Sequence, residues 1–382
     1  MIRPWLLVFL IAGCETNAAP PKGAPPTPAP AQASTPAPAQ PAGAGPSSLP
    51  GDQIYAALCA PCHGKDLKGY AADNAPSLVT TTFLESATDD FLRRSIITGR
   101  PGTSMAAYGH KLGGPLDDAA VDRLVAYIRA QGPAAKALPP VPKGDPAKGA
   151  EIYAKQCASC HGDKQNRREG IHLANVMFQA QATDAFIKHA IVHGRPGTKM
   201  VPYEGALTDA QINDVVAYIR SLGATKQTVS QLPAPTGKEP LILNPKGKDP
   251  TWTLKDGRFV SVDAVHAAYK AGNKMIIIDA RPPSDWMRAH IQGAVSIPYH
   301  DVARLAEIPK DVWVVAYCAC PHHLSGIVVD ELRKRGHQKA AVLDEGINDW
   351  HRKGYPMTTA DGVQPPVNEH HGHDHSAPGH VH

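Results

Sequence analysis

Two stretches of the chain place apolar residues on one face of an α-helix, at intervals of three and four positions. The apolar positions are Val121, Leu124, Val125 and Ile128 in the first stretch and Ile212, Val215, Val216 and Ile219 in the second. The second stretch begins with Thr208-Asp-Ala-Gln211, a capping box in which a hydroxyl and an amide satisfy backbone donors reciprocally. The pattern predicts two helical domains, each with a buried stripe on its last helix.

The pattern changes after residue 250, where short runs of β-branched and aromatic residues replace the helical spacing. These runs are Phe259–Val262, Met275–Ile278, Val312–Tyr317 and Ala340–Leu343. Helix-like segments at 263–269 and 326–335 separate them. Strands that alternate with helices indicate a parallel α/β sheet. The predicted fold class is therefore multidomain, with two small all-α domains followed by an α/β domain.

Segments rich in proline, glycine and lysine separate these parts of the 382-residue chain. From Ala18 to Pro50 the sequence has no apolar period and predicts an extended tether of about 3.1 Å per residue. The predicted divisions are a signal peptide at 1–13, the tether at 14–50, helical domains at 51–131 and 147–222, a linker at 223–250, the α/β domain at 251–358 and a tail at 359–382.

The two helical domains repeat each other in sequence. Three pairs of segments match: Gly51–Gly64 with Gly149–Gly162, Gly99–Met105 with Gly194–Met200, and Val125–Arg129 with Val216–Arg220. The spacing between matched segments shrinks along the chain, which indicates short deletions in the loops of the second copy. A duplicated domain is the simplest explanation.

Each copy contains a Cys-x-x-Cys-His run, in which two thiols can add across the vinyl groups of a haem while the histidine reaches the iron. The predicted attachment residues are Cys59, Cys62, Cys157 and Cys160, and the predicted iron ligands are His63 and His161. A thioredoxin-like thiol pair or half of a zinc site is the alternative. The histidine that follows in both copies favours two covalently bound haems c.

Both copies resemble class I cytochrome c domains over residues 51–131 and 147–222. The resemblance implies a methionine as second axial ligand, and Met105 and Met200 each follow an identical Gly-Arg-Pro-Gly-Thr turn. A thioether ligand raises the reduction potential and leaves no open iron position, so these domains would carry single electrons. The rival ligands in the second copy are Met177, His189 and His193.

The third domain resembles a rhodanese domain over nearly its whole length. Four motifs carry the resemblance: Ile278-Asp-Ala-Arg281, the run from His290 to Pro298, Tyr317-Cys318, and the run from Leu343 to Trp350. The resemblance implies that Cys318 carries sulfur as a persulfide and that Asp279, Arg281 and His290 are structural. A loop that ends at a helix N-terminus favours the thiolate that attacks sulfane sulfur.

The loop after Cys318 departs from the family pattern. Counted from Cys318 through Leu324, it holds seven residues before Ser325 where sulfurtransferases usually hold six, and it lacks the arginine or lysine that helps bind an anionic donor. Cys320, His322 and His323 are further candidates for the chemistry, as a resolving thiol, as anion-binding imidazoles, or as ligands of copper or zinc. Active sulfur transfer and a role in binding alone both stay open.

The N-terminus predicts export and a lipid anchor. The apolar run from Trp5 to Ile11 is too short to span a bilayer and is typical of a signal peptide. Leu10-Ile11-Ala12-Gly13-Cys14 resembles the lipobox of bacterial lipoproteins, which implies acylation of Cys14 and a membrane anchor on the periplasmic side or the cell surface. The alternative is a signal that is cleaved elsewhere or retained.

The charge and the histidine content of the chain bear on its possible partners and metals. The net charge of +4 has no concentrated basic block, which argues against a nucleic-acid partner. Six of the 19 histidines, His370, His371, His373, His375, His380 and His382, crowd the tail. They predict either copper, nickel or zinc binding or a solvated end.

These observations predict an exported dihaem electron carrier whose rhodanese-like domain handles sulfane sulfur. The expected partners are redox proteins and thiosulfate or another sulfane-sulfur donor. The alternative is a pure electron carrier whose third domain is a non-catalytic docking or metal-holding module.

Overall fold

The computed structural model describes residues 45–69, 75–223, 231–319 and 322–360. The predicted signal peptide, Cys14, most of the tether, Cys320 and the histidines of the tail lie outside these residues. Within the described ranges, no helix combines the length and hydropathy needed to cross a membrane.

The first domain consists of short helices that lead to one longer terminal helix. Its helices are α1 (Gly51–Ile54), a π-helical turn (Tyr55–Cys59), α2 (Ala60–His63), α3 (Thr81–Ser86), α4 (Asp89–Thr98) and α5 (Asp118–Arg129), with 3₁₀ turns at Pro46–Ser48 and His110–Leu112. The first of these turns packs on α5, and Leu49 is buried. The folded domain therefore begins slightly before the predicted tether ends at Pro50.

The second domain repeats this plan. Its helices are α6 (Pro146–Gln156), α7 (Ala158–His161), α8 (Val176–Gln181), α9 (Asp184–His193) and α10 (Asp209–Leu222). Equivalent threonines cap equivalent helices: Thr88 accepts a hydrogen bond from the backbone of Phe91, and Thr183 accepts one from Phe186, both at 3.0 Å. Locally similar sequence thus produces the same helix starts in both copies.

The terminal helices bury the predicted apolar stripes. All eight stripe residues of α5 and α10 are buried, and Thr208 and Gln211 form the predicted capping box. Helix α10 packs along α6, whose last turn precedes the second Cys-x-x-Cys-His run. The stripe on the last helix therefore supports the segment that carries the predicted haem cysteines.

The third domain is the expected α/β unit. Its strands are β1 (Phe259–Val260), β2 (Ile276–Asp279), β3 (Ala289–Ile291), β4 (Val295–Ser296), β5 (Val314–Tyr317), β6 (Ala340–Leu343) and β7 (Met357–Thr359). Its helices are α11 (Val262–Lys270), α12 (Pro283–Trp286), α13 (His323–Lys334) and α14 (Gly346–Arg352). A parallel sheet has the order β1-β6-β5-β2-β4, and β3 pairs antiparallel with β7. The predicted parallel sheet is confirmed.

The described part of the connector, from residue 231 to 250, packs on the α/β domain. The backbone N–H of Leu232 donates to Met287 O, and Leu243 forms an antiparallel bridge with Met275. A free linker across the whole of 223–250 would allow the α/β domain to move between the haem domains. Residues 231–250 thus pack on the α/β domain, which corrects the linker prediction for this stretch.

The α/β domain lies against the first cytochrome-like domain. Helix α13 packs on α2, and Tyr299 of the α/β domain donates a hydrogen bond of 2.8 Å to Leu58 O. We expected docking near the second predicted haem to be allowed by the connector. The structure places the carboxyl edge of the parallel sheet on the first domain instead.

Candidate haem and sulfur sites

The first predicted haem site is built on helix α2. Cys59 directly precedes this short helix, Cys62 lies within it, and His63 ends it. The Nδ1 atom of His63 lies 3.0 Å from Pro76 O. A proton on Nδ1 directed at that carbonyl places the lone pair on Nε2, the form of imidazole that binds iron. Gly64 follows with φ +78°, a conformation that side chains rarely adopt.

The second site repeats this geometry on α7. His161 Nδ1 lies 2.9 Å from Ile171 O, and Gly162 has φ +74°. A Cβ atom added to Gly170 would lie 3.0 Å from His161 Nδ1, so the chain passes close to the ring only because this residue is glycine. The donor sets therefore fit a haem c in both copies.

The environment of the first cysteine of each run is apolar. Burial raises the pKa of the Cys59 thiol to about 12 and that of the Cys157 thiol to about 11. An uncharged sulfur is therefore strongly preferred at both positions. A thioether to haem is uncharged and satisfies that preference.

Equivalent tyrosines support both runs from behind. Tyr55 donates a hydrogen bond of 2.6 Å to Gly64 O, and Tyr153 donates one of 3.0 Å to Gly162 O. Their rings pack on Tyr127 of α5 and Tyr218 of α10. These tyrosines fix the end of each histidine helix on the terminal helix.

The two predicted methionine ligands lie in closed loops of the same form. Arg100 N donates to Met105 O, and Arg195 N donates to Met200 O, both at 2.8 Å. The backbone of each methionine in turn donates to a threonine hydroxyl two residues earlier, at 3.1 Å. The repeated sequence therefore presents both methionines in the same local conformation.

The rival histidines have other neighbours. His189 is buried beside Glu85 of the first domain, 3.7 Å away, and its ring lies 4.5 Å from that of His193. Burial lowers the pKa of His189 to about 4. His193 lies 3.8 Å from Glu204. These contacts place both rings in side-chain pairs and favour Met200 as the ligand.

The candidate sulfur residue Cys318 follows β5 and is 1% exposed. Its Sγ lies 3.3 Å from the hydroxyl of Ser325, in the first turn of α13. The helix begins at His323, earlier than the predicted start at 326, so its N-terminal dipole lies close to the cysteine in sequence. A hydroxyl and a helix N-terminus both favour a thiolate or perthiolate.

Helix α14 holds the backbone of Cys318 and Ala319 in place. Ile347 N donates a hydrogen bond of 3.0 Å to Cys318 O, and Asn348 Nδ2 donates one of 3.0 Å to Ala319 O. Both donors belong to the motif from Leu343 to Trp350. The motif therefore holds the start of the sulfur loop.

His322 contacts Asp344, whereas we predicted that it could bind an anionic sulfur donor. Its Nε2 atom lies 3.0 Å from the carboxylate Oδ1 of Asp344 and hydrogen-bonds to the backbone carbonyl of the same residue, and the imidazole holds the pKa of Asp344 below its ordinary value. An imidazole bound to a carboxylate is a weak candidate for binding an anionic donor. His323 is the first residue of α13, and Cys320 lies between the described segments.

Asp279 and Arg281 have the structural surroundings that the resemblance implies. Arg281 donates two hydrogen bonds to the buried carboxylate of Asp279, at 2.9 and 2.6 Å, and a third to Ala289 O. Tyr317 also donates to Asp279, at 2.9 Å. His290 stacks on Trp286 at 3.5 Å. These contacts join the ends of β2, β3 and β5 behind Cys318.

Sequence reasoning missed the residues that join the sulfur site to the first haem site. Tyr108 and Tyr299 both donate to Leu58 O, the residue before Cys59. Ser104 and Ser284 form further hydrogen bonds across this contact. The repeat gave one signal, because Tyr203 of the second copy donates to Gln156 O in the equivalent position.

Comparisons with known proteins match three parts of the chain. Residues 48–128 and 144–219 each match the family described as cytochrome c oxidase, cbb3-type, subunit III, and residues 261–353 match the rhodanese-like domain. The cytochrome c domains imply covalently bound haem c. The fold prediction is confirmed as a helical cytochrome-like region followed by an α/β rhodanese-like domain.

Individual relatives match one part of the chain each. The cbb3-type cytochrome c oxidase subunit FixP of Bradyrhizobium diazoefficiens is 30% identical over 184 residues, which cover 46% of this chain and 61% of that protein. The chain thus spans about three fifths of the length of this relative. A sulfurtransferase of Allochromatium vinosum is 30% identical over 97 residues, 23% of this chain and 82% of that protein. The solution structure of a rhodanese-like domain from Anabaena sp. is 22% identical with a TM-score of 0.26, covering 32% of this chain and 95% of that one.

Proposed function

Because the chain belongs to the rhodanese-like family through residues 261–353 and joins that domain to electron-transfer cytochrome c domains, we propose that it is an exported dihaem cytochrome that draws electrons from sulfur held on Cys318. The haems would be attached at residues 59–63 and 157–161, with Met105 and Met200 as distal ligands.

One observation carries the proposal. Ser104, next to Met105, donates a hydrogen bond of 2.9 Å to the carbonyl of Ala319, which follows Cys318. The sulfur loop and the ligand loop of the first haem site are therefore in direct contact. Such a contact is required if electrons pass between the two sites without release of a small carrier.

In the proposed reaction, thiosulfate is the sulfur donor. The Cys318 thiolate attacks its outer sulfur, the S–S bond of the donor breaks, sulfite leaves, and a Cys318 persulfide forms. Coupling of the perthiolate with a second small thiolate forms one S–S bond and releases two electrons. Haems held at residues 59–63 and 157–161 would each accept one electron, so two haems would match this count.

The residues around these steps have distinct tasks. The hydroxyl of Ser325 and the first turn of α13 stabilise negative charge on the sulfur of Cys318. Ile347 and Asn348 position the loop through hydrogen bonds to the carbonyls of Cys318 and Ala319. The carbonyls of Pro76 and Ile171 keep His63 and His161 in the tautomer that binds iron.

The test follows sulfur and haem separately in the purified holoprotein. After incubation with thiosulfate, mass spectrometry should find one added sulfur on Cys318, and after a small thiol is then added the absorption spectrum should show haem reduction. Cys318→Ser should remove both signals and leave the spectra of the two oxidised haems unchanged. Equal haem reduction in wild type and Cys318→Ser would reject the proposal.

A second candidate function is a docking module without sulfur chemistry. It is favoured by the same contact, because Ala107 and Tyr108 of the first domain are buried and hydrogen-bond to Ser284 and Tyr299 of the α/β domain. The contact between His322 and Asp344 also makes this imidazole a weak binding group for an anionic sulfur donor. Absence of a persulfide on Cys318 together with intact haems would select this alternative.

The location and partners are part of the proposal. The apolar run before Cys14 supports export, and acylation of Cys14 would hold the protein on the periplasmic side of a membrane or at the cell surface. The second cytochrome domain would pass electrons to a redox protein. Val201, which follows the predicted ligand Met200, is 57% exposed. This exposure supports the approach of a redox protein to this side of the second domain.

A further inference from the structure

The loop that carries Met105 is tied to the α/β domain on both sides of the methionine. On one side Ser104 Oγ donates to Ala319 O at 2.9 Å. On the other side Ser284 Oγ donates to Ala107 O at 2.7 Å, and both of these residues are buried. The predicted ligand therefore lies between two bonds to another domain, which we name the serine clamp.

The equivalent loop of the second copy has different surroundings. Lys199 stands where the first copy has Ser104, and its ammonium pairs with Glu169 of its own domain at 2.7 Å. Val201 is 57% exposed, whereas its counterpart Ala106 is 1% exposed. Among the described residues, the α/β domain thus covers the methionine loop of the first copy and leaves that of the second open to solvent.

The clamp belongs to the edge of the sheet where ligands of parallel α/β folds bind. Ser284 lies after β2, Tyr299 after β4 and Ala319 after β5, all beyond the carboxyl ends of parallel strands. All three contact the first cytochrome domain. The edge that holds the candidate sulfur residue is therefore also the edge that holds the haem loop.

We propose that Ser104 and Ser284 are positioning residues through which the rhodanese-like domain sets the ligation and potential of the first haem, so that sulfur on Cys318 alters this haem and not the second. The inference rests on the proposed function in taking Met105 as the distal ligand and Cys318 as the sulfur carrier. It adds that the first haem is the one coupled to sulfur on Cys318 and that Ser104 and Ser284 provide the coupling.

The physical reason is the crowding around Cys318. This residue is 1% exposed, so an added sulfur atom lies inside the protein, in contact with the atoms that surround Cys318. The carbonyl of Ala319 is one residue away and is held by Ser104. Movement of this carbonyl is transmitted to the backbone at Met105. By linkage, the state of the methionine loop also changes the tendency of Cys318 to hold sulfur.

The experiment compares holoproteins carrying Ser104→Ala, Ser284→Ala and both substitutions with wild type. The readouts are the equilibrium reduction potential of each haem and the charge-transfer absorption of methionine bound to ferric iron. At a fixed electrode potential, the double variant should change the ratio of reduced to oxidised first haem about fivefold or more, with the second haem unchanged. Ser104→Thr keeps the hydroxyl, so this variant should show the wild-type ratio of reduced to oxidised first haem.

Lys199→Ala is the matched control, because it changes the equivalent position of the second copy, and it should leave the first haem unaltered. An unchanged first haem in the double variant, or equal changes in both haems, would overturn the inference.

A measurement on wild type keeps the test independent of how well the variants fold. Protein loaded with thiosulfate and then desalted should show a shifted potential for the first haem alone. Identical potentials in loaded and unloaded protein, with the persulfide verified by mass, would also overturn the inference. If no persulfide forms, sulfur handling fails, while the comparison of unloaded variants still decides the role of the clamp.

Discussion

The ring of Phe91 stacks on the ring of Phe186, with centroids 4.6 Å apart and an angle of 27° between the planes. The internal repeat makes these two phenylalanines equivalent, so each copy offers the same side chain to the contact. Helix α3 also packs on α9 while α4 packs on α8, which is the same pairing seen from either copy. The two cytochrome domains therefore meet as a pseudo-symmetric pair within one chain.

Two equivalent arginines brace this contact. Arg100 donates to Gln181 of the second domain at 2.7 Å, and Arg195 donates to Thr82 of the first domain at 3.3 Å. The guanidinium of Arg195 also lies 5.2 Å from the ring centre of Phe186. Burial lowers the pKa of each arginine to about 10, which leaves both charged at neutral pH.

We predict that Phe91 and Phe186 are energetically coupled. Phe91→Leu and Phe186→Leu should each lower the free energy of unfolding of the holoprotein, measured by urea denaturation. The double variant should lose less than the sum of the single losses by about 0.5–1.5 kcal/mol, since the stacking term is removed only once. As a control, Phe91→Leu and Tyr218→Leu should be additive because Tyr218 packs on Tyr153. Additivity in the phenylalanine pair would contradict a close interface.

The haem content can be counted directly. Protein matured in a host competent for cytochrome c assembly should keep two haems after acid denaturation, because thioether bonds survive unfolding. Cys59→Ser combined with Cys62→Ser should keep one haem, and Cys318→Ser should keep both. The check is the intact mass of the denatured chain. A wild-type mass with a single haem would refute the double attachment.

Each distal methionine should raise the potential of its own haem. Met105→Ala should lower the potential of the first haem, and Met200→Ala that of the second, since the thioether favours ferrous iron. Spectroelectrochemical titration measures both. Met177→Leu is the control for the rival ligand in α8 and should alter neither potential. If Met177→Leu lowers the second potential while Met200→Ala does not, the ligand assignment must be exchanged.

The anchor prediction concerns Cys14. Cys14→Ala should move the protein from the membrane fraction to the soluble periplasmic fraction, because acyl chains on this cysteine would supply the membrane affinity. Fractionation and immunoblotting after a high-salt wash measure the change, with Cys318→Ser as the control that stays bound. Retention of the alanine variant in the membrane would point to another attachment.

Acid should weaken the α/β domain through Asp344. His322 and the nearby Lys255 hold the pKa of Asp344 below the ordinary value of about 3.9. A carboxyl with a lowered folded-state pKa stabilises the fold above its ordinary pKa, and this contribution is lost as the pH falls through the folded value.

Asp344→Asn should therefore reduce stability at pH 7 and make the difference from wild type shrink towards pH 3. Thermal unfolding across this range measures the effect. Asp330→Asn, which removes the exposed partner of Arg258, is the matched control and should have a smaller effect. A constant difference between wild type and Asp344→Asn at all pH values would show that the carboxylate charge is not the cause.

Local chemistry explains what the sequence determined by itself. Two Cys-x-x-Cys-His runs, the matching turns before Met105 and Met200, and the stripes of α5 and α10 all lie within short segments, so spacing alone identified them. The alternation of strands and helices after residue 250 likewise predicted a parallel sheet, because each element buries its own apolar face. Strand β6 at Ala340–Leu343 has the predicted bounds.

Only the tertiary structure decided how these parts meet. Both copies have a methionine loop of the same form, and the sequence offered no rule for which one the α/β domain would cover. The choice depends on contacts between residues far apart in the chain, such as Ser104 with Ala319 and Ser284 with Ala107. Small residues at Ala106 and Ala107 allow close approach, whereas Val201 stays exposed in the other copy. Complementary shape across the interface, which no local pattern encodes, placed the sulfur loop beside the first haem site.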